Sequence, residues 1–213
     1  SDQSDKTGGN PVITVTLEPL RYFTEAIAGD RFTVVSMVPK GTSPETYDPT
    51  PQQLVDLARS KAYFRIGYIG FEQTWTDKLT DNAPHLQFFD MSQGVDLIYD
   101  NTHSHRHAED GKEHHHATGV EPHIWNSATN AQIIAGNILS ALCSIDKSNE
   151  SAYLERYNAL CRQIEHTDSL IRQTLTAPGA DHAFMIYHPA LSYFARDYGL
   201  HQIPIEAGGK EPS

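Results

Sequence analysis

The stretch NESAYLERYNALCRQIEHTDSLIRQTLTAPG, from Asn149 to Gly179, decides how the chain is read. Apolar residues recur along it at Leu154, Tyr157, Cys161, Ile164, Ile171 and Leu175. Their steps are near three or four apart from a polar gap at Asp168, which is the period of one helix face. Pro178 and Gly179 supply the stop. The spacing predicts one helix of about 25 residues, a rod long enough to brace one lobe against another.

On both sides of this rod the pattern alternates between strand and helix. Upstream, strands are expected at Val12–Leu17, Phe32–Val38, Ala62–Ile66 and Leu86–Phe89. Pro19 opens a short helix with Leu20, Phe23 and Ile27 on one face and Gly29 as its stop. Thr50-Pro51-Gln52-Gln53 is a capping box with proline at the first helical position, continued by Leu54, Leu57 and Ala58. A further helix is expected over Phe71–Leu79. Ser127 caps another, in which Ile134, Ile138 and Leu142 recur at intervals of four and which ends near Cys143. Downstream come a strand at Ala183–Tyr187, a helix at Pro189–Tyr198 with Gly199 as its C-cap, and a strand at His201–Glu206. Such alternation implies an α/β fold of parallel sheets flanked by helices. A single βαβ unit buries too little core of its own, so the second lobe is expected to be cut short in this chain. The expected divisions are a polar tether at 1–10, left by processing or trimming, and an N-terminal α/β lobe at 11–148. A linking helix follows at 149–176, and the start of a second α/β lobe at 177–213.

Six of the 12 histidines fall within one short tract of the first lobe: His103, His105, His107, His114, His115 and His116, interleaved with Asp100, Glu109, Asp110 and Glu113. Neutral imidazole is the commonest side-chain ligand for divalent metals, and short His-rich tracts read as metal binding. No apolar period runs through 100–119, which predicts a solvated loop. The tract is internal and broken by charges, unlike a terminal affinity tag. The expectation is a loop that gathers zinc weakly at several sites. The formal net charge of -11 disfavours nucleic acid as a partner and concentrates cations near the surface. No run is expected to approach the length of a membrane span. Cys143 and Cys161 lie in successive helical segments at heights that do not match. Buried thiols are the stronger reading and a disulfide the weaker.

Three loops carry candidate chemistry. Pro44-Glu45-Thr46-Tyr47-Asp48-Pro49 follows the second strand, Glu121-Pro122-His123 lies beyond the fourth, and His188-Pro189 comes directly after the strand ending at Tyr187. Ligands of open α/β sheets bind beyond the carboxyl ends of the strands. Glu45, His123 and His188 are therefore expected to point towards one region, although each alone has an ordinary structural explanation. Tyr47 either bonds a ligand or packs. Trp75 and Trp125 read as packing residues, His166, His182 and His201 as surface groups, and Glu206 as an outer candidate near the site.

With these residues in view, the chain resembles the zinc- and manganese-binding proteins of bacterial metal ABC importers. The resemblance rests on Leu17-Glu18-Pro19-Leu20-Arg21-Tyr22-Phe23, Ile27-Ala28-Gly29-Asp30, the Pro39–Pro51 loop and Glu121-Pro122-His123-Ile124-Trp125. It also rests on the block from Tyr187 to Leu200 and on Gly209-Lys210-Glu211-Pro212-Ser213, so it runs from Val12 onward. It implies two α/β lobes joined by one rigid helix, with the metal held between them by Glu45, His123 and His188. Glu45 stands where the family usually has histidine, a hard oxygen donor in place of a borderline nitrogen. The family's fourth, acidic ligand would lie past Ser213. The acidic, His-rich loop resembles that of the zinc-importing branch.

The function implied is an extracytoplasmic receptor, periplasmic or lipid-anchored, that captures Zn2+ and passes it to an ABC importer permease. Mn2+ is the alternative cargo. The receptor is expected to be monomeric and not an enzyme; the readings from other classes are a zinc buffer and a zinc hydrolase. No His-Glu-x-x-His helix supports the hydrolase. Since imidazole ligates only when neutral, uptake is expected to weaken as pH falls through about 6.5.

Overall fold

The computed structural model describes residues 9–99 and 119–205. Four strands, β1 (Val12–Val15), β2 (Thr33–Ser36), β3 (Ala62–Arg65) and β4 (Gln87–Asp90), form one parallel sheet in the order β2-β1-β3-β4. The central strands β1 and β3 are almost wholly buried, whereas β2 and β4 alternate or are partly open, as edges are. Ile13 pairs with Val34 on one side and Ala62 on the other, so one β-branched strand serves both neighbours. The link from β2 to β3 crosses β1. That places the crevice of the sheet at the carboxyl ends of β1 and β3.

The connecting helices are α1 (Glu18–Ala28), α2 (Pro51–Leu57) and α3 (Gly70–Asn82). Helix α1 buries Leu20, Thr24 and Ile27 against the sheet, while Phe23 is only partly covered. It stops at Gly29, whose φ of 61° is open to glycine at no cost. A Cβ there would press on the Arg156 guanidinium, which reaches the Ala28 carbonyl and covers the negative end of the helix. The capping box forms as read: Thr50 Oγ1 accepts from Gln53 N, and Gln53 Oε1 accepts from Thr50 N.

Helix α4 (Ala128–Ile145) is capped by Ser127 Oγ and continues two residues beyond Cys143. At 18 residues and mean hydropathy 1.2 it is long and apolar enough to cross a membrane, contrary to the expectation from sequence. Its seven buried residues, from Asn130 to Leu142, face α1 and the long helix, so here it acts as a core helix.

The long helix α5 (Glu150–Leu175) has the predicted length, 26 residues, and the predicted seam only in part: Ile164 is buried and Tyr157 packs on the core. Tyr153, Leu160 and Ile164 are buried; Leu154 is 46% exposed and Cys161 only half-buried. The reason is that α5 packs on α1 and α4 along one narrow line, and a shift of one residue turns a side chain by about 100° around the axis. Leu154 falls just off that line. Beyond Ile164 no side chain of α5 is buried. The two cysteines are free thiols, both half-buried, and burial pushes the Cys143 thiol up.

After α5 a second, two-stranded parallel sheet pairs β5 (Ala183–Ile186) with β6 (His201–Pro204) around α6 (Ser192–Tyr198). The helix begins three residues later than Pro189 because the preceding turn, with Ala190 N donating to His188 O, consumes the start. Gly199 is its left-handed cap, as read.

The α4–α5 corner is tied by one carboxylate. Asp146 accepts from Tyr153 Oη at 2.5 Å, from Asn149 Nδ2 at 2.7 Å and from Ser148 Oγ at 3.1 Å. The tyrosine hydroxyl foremost, then Asn149, holds this carboxyl below the ordinary carboxylate range. Its stabilising effect is therefore whole above the unfolded-state value near 4 and is lost as pH falls through the lowered folded value. Asp146→Asn is expected to reduce stability at pH 7 and to narrow the gap between pH 7 and pH 3, as read by urea unfolding at both.

Candidate metal centre

The three candidate residues lie in connections that follow parallel strands: Glu45 between β2 and α2, His123 between β4 and α4 just after an antiparallel bridge of Tyr99 with Val120, and His188 two residues after β5. His123 is 7% exposed. Its backbone N donates to Glu121 Oε1 at 3.1 Å, and its ring Nδ1 sits on the same carboxylate oxygen. Pro122 between them fixes the backbone, so the side chains two residues apart fold onto one side. A carboxylate on Nδ1 selects the tautomer with hydrogen there and leaves Nε2 as the free donor of an electron pair. That Nε2 lies 3.3 Å from His188 Nε2, with the two rings nearly perpendicular at 80°. A tetrahedral zinc with nitrogen ligands at about 2.0–2.1 Å spaces any two of them about 3.3–3.4 Å apart.

Glu45 is held elsewhere. Its Oε2 accepts from Gly70 N at 3.1 Å, and Phe71 N donates to Pro44 O at 2.9 Å, so the loop is seated on the first turn of α3. The positive end of a helix suits a carboxylate there. The fit requires Gly70: a Cβ at that position would come 2.8 Å from the Glu45 carbonyl oxygen and 3.0 Å from its Cα. The structure thus brings His123 and His188 together and seats Glu45 on α3. Among the described residues no group of three or more His, Cys, Asp or Glu is disposed to hold a metal ion. His103, His105, His107, His114, His115, His116 and Glu206 lie outside the described residues.

The remaining expectations can be placed. Tyr47 Oη donates to Gln53 Oε1 at 2.7 Å and its ring packs on Phe71, so it supports the capping box. Trp125 packs edge-on against His123, and Trp75 donates from its indole nitrogen to Asp48 at 3.1 Å. His166, His182 and His201 are exposed. Sequence reasoning missed Glu121 and Gly70 as site residues. The first has a readable signal, an acid two positions before a candidate ligand with proline between. The second has none, because its partner lies 25 residues away. Also unforeseen is Glu72, 2% exposed, whose carboxylate accepts from Ile66 N at 2.8 Å and Gly67 N at 2.7 Å and so pins the loop leading to Gly70. Burial pushes its pKa up.

Two parallel sheets bridged by a long helix, with one imidazole from each side facing the other, define an α/β protein whose candidate site lies where the two meet. Residues 13–213 match the family described as zinc-uptake complex component A, periplasmic, and the chain belongs to that family. A crystal structure of ZnuA superposes with a TM-score of 0.83 at 35% identity, covering 96% of this chain and 73% of that one. The high-affinity zinc uptake system protein ZnuA of Bacillus subtilis (strain 168) is 26% identical over 214 residues, 99% of this chain and 66% of the relative. The manganese ABC transporter substrate-binding lipoprotein PsaA of Streptococcus anginosus is 27% identical over 208 residues, 94% of this chain and 63% of the relative. The chain thus spans a little under two thirds of the length of these two relatives.

Gly70→Ala is expected to destabilise the chain by about 1–2 kcal/mol, because the methyl group meets backbone that cannot step aside. That loss outweighs the gain in helix propensity of up to about 1 kcal/mol. Urea unfolding measures the net effect, and a more stable variant would contradict the seating of the Glu45 loop.

Proposed function

We propose that this chain is the ion-capturing part of an extracytoplasmic receptor that binds Zn2+ and hands it to the permease of an ABC importer. The observation that carries the reading is the 3.3 Å approach of His123 Nε2 to His188 Nε2, a spacing that suits two ligands of one tetrahedral ion. One imidazole leaves the first sheet and the other the second, so an ion between them ties the two together. Glu45 is the third donor. Its carboxylate serves as a single oxygen ligand once the loop leaves its seat on Gly70 and approaches the imidazole pair. The His-rich tract at 103–116 raises zinc concentration near the site. Family membership supports capture and delivery over turnover, since the family is described as a component of an uptake complex.

Release requires a partner that prefers the parted arrangement, because only differential binding shifts an equilibrium between two states. A docked permease is such a partner. The receptor acts as a monomer, in the periplasm or held to the outer face of a membrane by lipid.

The second reading is Mn2+ as cargo. What favours it is Glu45, a hard oxygen donor, together with the likeness to a relative named for manganese. Competition titration of the full-length protein with Zn2+ and Mn2+ against a chromophoric chelator decides between them. For the zinc reading, His123→Ala and His188→Ala are each expected to lower tight-site affinity by at least about 100-fold, with Glu45→Ala costing less. Removing residues 103–116 is expected to remove only weak binding. Unchanged tight binding in both histidine variants would dismiss the site.

A further inference from the structure

Tyr193 lies on α6, in the unit that supplies His188, yet its ring is wholly buried in the core of the first sheet's unit. Its hydroxyl occupies an unusual place there. Ile98 and Glu121 flank an isolated antiparallel bridge, Tyr99 to Val120. Glu121 N donates directly to Ile98 O at 2.8 Å, the expected rung of such a pair. The reciprocal rung is not direct: Ile98 N donates to Tyr193 Oη at 3.1 Å, and Tyr193 Oη donates to Glu121 O at 2.7 Å. The hydroxyl is interpolated into the ladder. It takes up the one donor and the one acceptor that would otherwise bond to each other.

Glu121 is also the residue whose carboxylate sits on His123 Nδ1 and receives the His123 N–H. The contacts therefore run unbroken from α6, through the Glu121 backbone and carboxylate, to the imidazole whose Nε2 faces His188. We infer that Tyr193 is a positioning residue for His123, acting through Glu121, so that the unit carrying His188 also sets the direction of the opposing imidazole. The inference rests on the reading of His123 and His188 as metal ligands. Partners beyond the ligands commonly change metal affinity by about 10–100-fold, because they fix tautomer and ring direction.

The alternative is that Tyr193 is only a core aromatic with a satisfied hydroxyl. Tyr193→Phe keeps the ring and removes the interpolated group, so that Ile98 N–H and Glu121 C=O either close on each other or stay unpaired. In the full-length protein, titrated with Zn2+ against a chromophoric chelator, this variant is expected to bind about tenfold more weakly. The double variant with His123→Ala is expected to bind no more weakly than His123→Ala alone, because the path ends at that ring. Tyr198→Phe, which removes the bond from α6 to Asp168 and touches neither Glu121 nor His123, is expected to leave affinity within about twofold.

Equal affinity of Tyr193→Phe and the unaltered protein overturns the inference, as does a full additional loss in the double variant. If Tyr193→Phe does not fold, Glu121→Gln takes its place in the same cycle, with the same expected absence of further loss beside His123→Ala. If His123→Ala alone keeps tight binding, the ligand reading fails and the positioning role falls with it. If His123→Ala loses tight binding while Tyr193→Phe and Glu121→Gln do not, only the positioning role fails.

Discussion

Two imidazole nitrogens facing each other across 3.3 Å cannot both present an electron pair to the gap. Something positive has to lie between them, either the proton of one ring or a cation. With the Glu121 carboxylate on its Nδ1, the neutral His123 ring carries its hydrogen there and presents its electron pair at Nε2. The gap is kept by polar ties on either side. Asn126 donates to Ala190 O at 2.9 Å, Ser127 to Asp197 at 2.5 Å and Arg196 to Asp96 O at 2.8 Å. Ser127 is also the cap of α4, so one hydroxyl both starts a core helix and anchors α6. The placing of the two rings is a property of the whole junction and not of either loop.

Much of the scaffold was legible because local chemistry set it. The Thr50–Gln53 box, the Ser127 cap, Gly29 and Gly199 as stops, and the alternation of strand and helix all act within a few residues and emerged where expected. What the sequence hid depends on distant partners. Leu154 has the right period for the seam of α5 but the wrong phase, and phase is decided by where α1 and α4 lie. The helix after His188 starts late because a turn intervenes, which propensity alone does not reveal. No apolar run of membrane-span length is expected from the sequence, yet α4 reaches that length, and only its packing on α1 and α5 identifies it as core.

The candidate site divides along the same line. Topology led to the expectation that Glu45, His123 and His188 point towards one region; the structure brings the two imidazoles together and leaves Glu45 on α3. Topology carries no information on side-chain partners, so the seat of Glu45 on Gly70 could not be read. The family resemblance drawn from motifs agrees with the match over residues 13–213. In the second sheet, Met185 and Ile203 remain 69% and 38% exposed, since two strands and a seven-residue helix cover only one side. A core of that size owes its order to α5 and to the ties across α6.

The two halves of α5 are held in different ways. Up to Ile164 the helix is fixed by apolar burial against α1 and α4. From Glu165 to Leu175 no side chain is fully buried, and the helix instead reaches α6 through Tyr198, whose hydroxyl donates to Asp168 at 2.7 Å and whose ring lies under the Arg172 guanidinium. One rod is thus joined to the first sheet's core by apolar packing and to the second unit by the edge and face of a tyrosine, so ionic strength acts on one of its two attachments and scarcely on the other.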